Sequence, residues 1–262
     1  MDSIEKSDLR TRRSWISGSS LSIGAAVGLT GLVQTSSPVT PKAKAAHTDR
    51  PQTPAEAFHL LMEGNERFIA WRSGFNMMEN ASQSGLSICN SDYPENFSDP
   101  QDPIAIVLTC SDSRDIPELI FDQGFGDLFV TRTAGNTICP IVLGTIEYSA
   151  VELGTKLLMV LGHSGCGAVT SAVESIRTRT TPPGWIRNAV EPILPAARQA
   201  IREMPRATVA DQVFKAVQNN VNQVRSTIGR QSPTLNQLTR SGNFAVVGAW
   251  YDLTSGMVNL IS

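Results

Sequence analysis

Residues 104–114 read IAIVLTCSDSR, and residues 157–166 read LLMVLGHSGC. Each stretch begins as a continuous apolar run, typical of a buried strand, and then changes abruptly to small and polar residues. In open α/β sheets, ligands gather beyond the carboxyl ends of parallel strands. We therefore expect Cys110, His163 and Cys166 to meet at one edge of such a sheet.

Strands and helices alternate around these two runs. The pattern predicts strands at residues 104–108, 128–131, 156–162 and 244–251, and helices at residues 116–121, 141–153, 165–176, 189–204 and 209–228, with a shorter helix after Ser232-Pro233. Such βα alternation with right-handed crossovers predicts a parallel sheet, and residues 257–261 can add an antiparallel edge hairpin. The predicted fold class is α/β, with a central, mostly parallel sheet of four strands plus an antiparallel edge strand, flanked by helices.

The segment before the first strand predicts a helix. Thr53-Pro54-Ala55-Glu56 combines an N-cap threonine, a proline at the first helical position and the glutamate of a capping box. Large apolar residues follow at helical spacing to about Gly74. This N-terminal helix could extend onto a dimer partner or pack on its own sheet. Residues 75–103, rich in Asn, Ser, Asp and Pro, predict a long surface loop.

The first 45 residues predict a bacterial export signal of the twin-arginine type. Arg12-Arg13 precede a long apolar stretch without acidic residues, and Ala43-Lys44-Ala45 resembles a cleavage site. A retained membrane anchor is the alternative, since residues 15–33 approach spanning length. We expect a signal peptide at residues 1–45 and one domain at residues 46–262, in a periplasmic or otherwise exported protein with no membrane segment in its mature form.

The net charge and the remaining cysteines bear on the class of protein and on its redox state. A formal net charge of −2 at pH 7 does not indicate a nucleic-acid binder. Two of the four cysteines, Cys89 and Cys139, lie outside the strand-end pattern. In an oxidising compartment they form either a disulfide or two free thiols.

The strand-end cysteines and histidine point to a metal. Two thiolates and an imidazole are ligands that Zn²⁺ prefers, and three protein ligands leave a fourth position for water. A buried structural thiol is the alternative for Cys110, and a core histidine bonded to the backbone is the alternative for His163. The polar, glycine-rich surroundings favour the metal, because side chains that only fill a core need no such neighbours.

Asp112 and Arg114 follow Cys110 in the same loop. An aspartate and an arginine two residues apart can form a planar, charge-assisted pair. An unpaired Asp112 lies close enough to become a fourth zinc ligand, whereas a paired one is held back and can accept a hydrogen bond from water on the metal. An ordinary loop salt bridge, which stabilises little when exposed, is the alternative.

The three motifs together resemble those of the β-class carbonic anhydrases. C-x-D-x-R begins at Cys110, R-x-A-G-N spans residues 132–136, and H-x-x-C begins at His163. The resemblance extends over roughly residues 53–261. It implies that Cys110, His163 and Cys166 bind zinc, and that Asp112 with Arg114 forms the pair that gates the metal's fourth position.

Other positions fit the plant-like subgroup of that family. By the resemblance, Gln101, Phe129 and Tyr148 bind the substrate in a cleft completed across a dimer interface. Val107 stands where the bicarbonate-inhibited subgroup has tryptophan, which implies a constitutively open site. Asp115 replaces a common apolar residue and could compete for Arg114, and Thr133 replaces a frequent Asn or Val.

The expected function is zinc-dependent, reversible hydration of carbon dioxide to bicarbonate and a proton, through attack of a hydroxide activated by the metal. We expect a homodimer or higher homo-oligomer whose partners are carbon dioxide and bicarbonate. A hydrolase of carbonyl sulfide or carbon disulfide on the same scaffold is one alternative, and a non-catalytic, zinc-stabilised bicarbonate-binding protein is another. The sequence leaves the proton carrier open between Tyr148 and buffer.

Overall fold

The computed structural model describes residues 50–75 and 100–262, which belong to one compact unit. The predicted signal peptide, most of the predicted surface loop and Cys89 lie outside the described residues. Within the described parts of the chain, no helix is both long enough and apolar enough to cross a membrane.

Five strands form one sheet in the order β2-β1-β3-β4-β5. Their bounds are β1 Ala105–Cys110, β2 Leu128–Thr133, β3 Leu157–His163, β4 Ala245–Tyr251 and β5 Val258–Leu260. β1 pairs in parallel with both β2 and β3, β4 pairs in parallel with β3, and β5 pairs antiparallel with β4. This arrangement confirms the predicted sheet. All residues of β1 and β3 are buried, in keeping with their largely apolar sequences, which are typical of strands covered on both faces.

Helices cover both faces of the sheet. Their bounds are α1 Pro54–Phe75, α2 Pro117–Ile120, α3 Pro140–Val151, α4 Gly167–Thr178, α5 Ile186–Val190, α6 Leu194–Glu203, α7 Val209–Gln231 and α8 Pro233–Arg240. Val107 and Met159 pack in the same cluster as α1, whereas Leu108 and Leu158 pack in the cluster that includes α3, α7 and α8. The alternation follows from the two-residue period of strands.

The N-terminal helix begins as its sequence predicts. Thr53 Oγ1 accepts a hydrogen bond from the Glu56 N–H at 3.2 Å, and Glu56 accepts one from the Thr53 N–H at 3.3 Å. Leu61 and Phe68 are buried in the core of their own chain. Part of the helix therefore packs on its own sheet, and its extension onto a dimer partner stays a prediction.

The helix predicted at residues 189–204 is wrong as a single element. α5 ends at Val190, a 3₁₀ turn spans Glu191–Ile193, and α6 starts at Leu194. Pro192 and Pro195 lie in this stretch. Because proline has no N–H and clashes with the preceding turn, the apolar periodicity continues here while the α-helix does not.

Candidate metal centre

Three elements bring the cysteine and histidine side chains together. Cys110 is the last residue of β1, His163 is the last residue of β3, and Cys166 is the N-cap of α4. His163 thus follows the buried apolar run of its strand, and Cys166 lies at the start of the helix, as expected from the sequence. The tight turn between them contains Gly165 at a φ of +64°, which favours glycine.

The three side chains are buried, and their ligand atoms all lie within 4.8 Å of one another. The sulfurs of Cys110 and Cys166 are 3.9 Å apart. Two sulfurs at ~2.3 Å from one tetrahedral zinc would be separated by about 3.8 Å, so the pair has the right spacing. His163 Nδ1 lies 3.0 Å from the Ser164 carbonyl oxygen, and within the described residues its buried Nε2 has no hydrogen-bond partner. Nδ1 can donate to that carbonyl, which leaves the Nε2 lone pair for a metal.

The charges of the two thiols depend on each other. The Cys166 thiol beside Cys110 lowers the pKa of Cys110, because a thiolate there accepts a hydrogen bond from it. The pKa of Cys166 is raised by the same contact, with burial adding to the shift. A divalent cation between the sulfurs would stabilise both as thiolates. The donor atoms, their spacing and their burial therefore fit zinc.

Asp112 and Arg114 form the planar pair expected from their spacing. Arg114 Nε donates to Asp112 Oδ1 at 2.9 Å, and Arg114 Nη2 donates to Oδ2 at 2.7 Å. The Arg114 side chain is 60% exposed, whereas that of Asp112 is 19% exposed. These hydrogen bonds hold the pKa of the Asp112 carboxyl well below its usual range. Asp112 Oδ2 lies 4.0 Å from His163 Nε2, so an ionised carboxylate faces the space beside the three candidate ligands.

Arg132 holds the backbone of the same loop. Its Nε donates to the Cys110 carbonyl oxygen at 2.9 Å, and its Nη2 donates to the Asp112 carbonyl oxygen at 2.6 Å. Arg132 reaches the loop from β2, where it pairs with Thr109 of β1. Sequence reasoning included Arg132 in a motif but gave it no role. An arginine near the end of an otherwise apolar strand was the available signal.

Asp115 does not compete for Arg114 as the sequence suggested. It is buried against Thr109, with which its carboxyl group makes a hydrogen bond. Burial raises the pKa of Asp115 to about 6. Thr109 Oγ1 has one proton and also lies 3.2 Å from the Leu161 carbonyl oxygen. A protonated Asp115 would let Thr109 bond to both neighbours.

The predicted substrate residues lie away from the cysteines within this chain. Gln101 is exposed and precedes β1, whose length alone spans about 16 Å to Cys110. The rings of Phe129 and Tyr148 are in contact, with centroids 6.3 Å apart. Phe129 is four residues before Thr133, the partner of Cys110 in the sheet, which corresponds to about 13 Å along β2. The chain thus brings together the candidate metal ligands and the Asp112–Arg114 pair, but not the residues predicted to bind the substrate.

Comparison with known proteins assigns the chain to a family. The family model for carbonic anhydrase matches residues 105–258. Carbonic anhydrase 2 of Mycobacterium tuberculosis is 36% identical over 203 residues, which cover 78% of this chain and 90% of that protein. The carbonic anhydrase of Mycolicibacterium smegmatis is 33% identical over 209 residues, which cover 80% of this chain and 94% of that protein.

Solved structures show the same fold. The β-carbonic anhydrase CcaA has a TM-score of 0.57 and 25% identity, and the match covers 75% of this chain and 94% of that one. A tetrameric β-carbonic anhydrase of Sordaria macrospora has a TM-score of 0.58 and 22% identity, and the match covers 78% of this chain and 96% of that one. With motifs, family model, relatives and fold in agreement, the chain belongs to the β-class carbonic anhydrases.

Proposed function

We propose that this protein catalyses the zinc-dependent, reversible hydration of carbon dioxide to bicarbonate and a proton. The observation that carries the proposal is the position of the ionised Asp112, whose Oδ2 lies 4.0 Å from the Nε2 of His163. His163 belongs to the buried Cys-His-Cys cluster. A purely structural zinc site is closed by four protein ligands and has no use for such a neighbour.

Cys110, His163 and Cys166 would hold the zinc. When bound, zinc supplies activation of a water molecule, whose pKa falls from about 15.7 in bulk toward about 7 in favourable sites. Asp112 Oδ1 accepts from both the backbone N–H and the Nε of Arg114, whereas Oδ2 accepts only from Arg114 Nη2. Among the described residues, Oδ2 therefore keeps a free acceptor direction. With zinc in place, the Asp112 carboxylate would accept a hydrogen bond from a water beside the three ligands and would orient it toward carbon dioxide.

Arg114 has two effects on this arrangement. It keeps Asp112 ionised, so that the carboxylate remains an acceptor across the neutral pH range. It also binds both carboxylate oxygens, which restrains Asp112 from becoming a fourth ligand. The pair thus favours an open site with a position left for water.

Substrate binding requires a second copy of the chain in this proposal. Gln101, Phe129 and Tyr148 match the substrate residues of the family, yet they lie at a distance from the ligands of their own chain. We propose a homodimer or higher homo-oligomer in which these residues of one copy line the site of another. β2 is an edge strand of the sheet, which makes it available for such an association.

The test is stopped-flow carbon dioxide hydration by the zinc-loaded protein. We expect Cys166→Ser to lose zinc and more than about 100-fold in kcat/KM, because disturbing outer-shell partners alone costs about 10- to 100-fold. Asp112→Asn should keep its zinc and lose about 10- to 100-fold in kcat/KM. Cys139→Ser, at an exposed cysteine, is the matched control and should retain activity.

Two outcomes would contradict the proposal. Full activity in both Cys166→Ser and Asp112→Asn would exclude the mechanism. A zinc-loaded protein that hydrolyses carbonyl sulfide or carbon disulfide but does not hydrate carbon dioxide would assign the site to a different reaction.

A further inference from the structure

The buried face of α7 carries an amide side chain that reaches the loop beside Cys110. Asn220 Nδ2 donates a hydrogen bond to the Gly135 carbonyl oxygen at 2.9 Å. The N–H of the same residue, Gly135, donates to Cys110 Sγ at 3.2 Å. Asn220 is 1% exposed and Cys110 is 5% exposed, so this connection runs through the protein interior.

Chemistry fixes the orientation of the amide. The Gly135 carbonyl oxygen can only accept a hydrogen bond, so the nitrogen of Asn220, and not its oxygen, must face it. Packing also restrains Gly135. Its φ is +71°, and an added Cβ would lie 2.6 Å from Ile193 Cδ1 and 3.2 Å from the Ala168 Cβ. Gly135 is therefore held by neighbouring side chains as well as by Asn220.

This connection restrains the direction of the N–H that donates to the sulfur. The carbonyl that accepts from Asn220 belongs to the peptide between Gly135 and Asn136, and the N–H that donates to Cys110 belongs to the peptide between Ala134 and Gly135. The two peptides share the Gly135 Cα, so an anchored carbonyl limits how far the N–H can turn away from the sulfur. An N–H that donates to a thiolate withdraws charge from the sulfur. Such outer-shell hydrogen bonds affect both the affinity of a site for its metal and the pKa of water bound to the metal.

We propose that Asn220 is a positioning residue of the zinc site. Through Gly135, it keeps an N–H directed at the Cys110 sulfur. This hydrogen bond sets the charge on the thiolate and, with it, the affinity of the site for the metal. The inference rests on the proposed zinc site. A buried amide that only tied α7 to the loop would change stability without changing the sulfur–metal bond.

The experiment compares Asn220→Leu and Asn220→Ser with Asn219→Ser. Leu fills the space without a donor, and Ser is too short to reach Gly135. Asn219 is the matched control because its amide bonds to Glu203, at 3.4 Å, instead of to the loop. By competition with a chelator, zinc should bind about 10- to 100-fold more weakly to both Asn220 variants. In the control it should bind within about twofold of the wild type.

Spectroscopy separates this role from a merely structural one. In the cobalt-substituted protein, the sulfur-to-cobalt charge-transfer band should shift in the Asn220 variants and not in Asn219→Ser. In the wild-type protein loaded with an NMR-active cadmium isotope, the Gly135 amide proton should show a coupling to the metal across the N–H···S bond. This last measurement needs no variant and does not depend on how well the variants fold.

The outcomes that overturn the inference are distinct from those that overturn the proposed function. Wild-type zinc affinity and an unshifted band in a folded Asn220 variant would refute the role of Asn220, and so would a cadmium-loaded wild type without the coupling. A wild-type protein that takes up no zinc would refute the proposed function, and the inference with it.

Discussion

The Cys-His-Cys cluster and the Phe129–Tyr148 pair differ in how they are assembled. The cluster joins the ends of two neighbouring parallel strands and the start of one helix, so a single chain builds it. The aromatic pair connects the edge strand β2 with α3 and lies near the N-terminal end of β2, away from the end that carries the cluster. The first group is positioned by internal sheet pairing, whereas the second involves an edge strand of the sheet formed by the described residues.

In the proposed function, this difference separates the residues that would bind the metal from those that would bind the substrate. Variants at the cluster should act on zinc content, and variants at the aromatic pair should act on turnover with zinc retained. If the proposed oligomer forms, the two groups of residues in a working site come from different copies of the chain.

Mixing two inactive variants would test this separation with the largest expected effect. One parent carries Cys166→Ser, and the other carries both Gln101→Ala and Phe129→Ala. Random exchange between dimers places both defects in one site of each mixed dimer and leaves its other site intact. Half of the dimers are then mixed, so we expect activity to return to about one quarter of the wild-type value.

Native mass spectrometry should verify that mixed dimers have formed in that experiment. A mixture that contains them and yet stays as inactive as its parents would show that each chain builds its whole site alone.

A smaller effect is expected from the aromatic pair itself. Phe129→Ala should lower kcat/KM by about 10- to 100-fold, because displacing a substrate by about 1 Å can cost this much. Zinc content, measured by metal analysis, should equal that of the wild type. Zinc loss in Phe129→Ala would contradict the separation of the two groups. Ile141→Ala, on an exposed position of the same helix as Tyr148, shows whether any disturbance of α3 has the same effect.

The last effect concerns Asp115 and should appear in stability and not in turnover. Its pKa is about 6 in the folded chain and about 3.9 in an unfolded one. The folded state therefore keeps this proton to higher pH, and the stability it contributes below about pH 4 is lost as the pH rises through about 6. Between pH 4 and pH 7, the free energy of unfolding of the metal-free wild type should fall by about 2–3 kcal/mol more than that of Asp115→Asn. Urea unfolding measures both.

Asp252 offers a control of opposite sign for that experiment. The Thr254 N–H donates to its carboxylate, which lowers the pKa of Asp252. Its contribution to stability is present above the unfolded pKa and is lost as the pH falls through the lower, folded value. Asp252→Asn should therefore flatten the acid side of the stability profile. Equal profiles for Asp115→Asn and the wild type would contradict the raised pKa of Asp115.

The strand ends and the candidate metal ligands on them were predictable from the sequence because the signals are local. Unbroken apolar runs mark β1 and β3, and the residues that follow each run are polar or glycine. The rule that parallel strands end at one edge then places Cys110 near His163 without knowledge of side-chain packing. The capping motif at Thr53 was local in the same way.

Contacts between distant elements were not predictable in the same way. The predicted contact of Asp115 with Arg114 was wrong because Arg114 is its neighbour in sequence, whereas its actual partner, Thr109, lies six residues earlier in a buried strand. The bonds of Arg132 and Asn220 to the loop depend on how β2 and α7 pack. For Asn220, an amide among the apolar positions of a helix was a signal that sequence reasoning overlooked.

The position of β1 between β2 and β3 has a consequence for how the chain matures. Cys110 meets His163 only after a parallel crossover has closed, and such long-range pairings form late compared with helices and turns. A chain in which β1 and β3 are not yet paired lacks a three-ligand site, so tight capture of zinc would mark molecules in which this pairing is already formed. Metal uptake would thus report on folding as well as prepare the proposed activity.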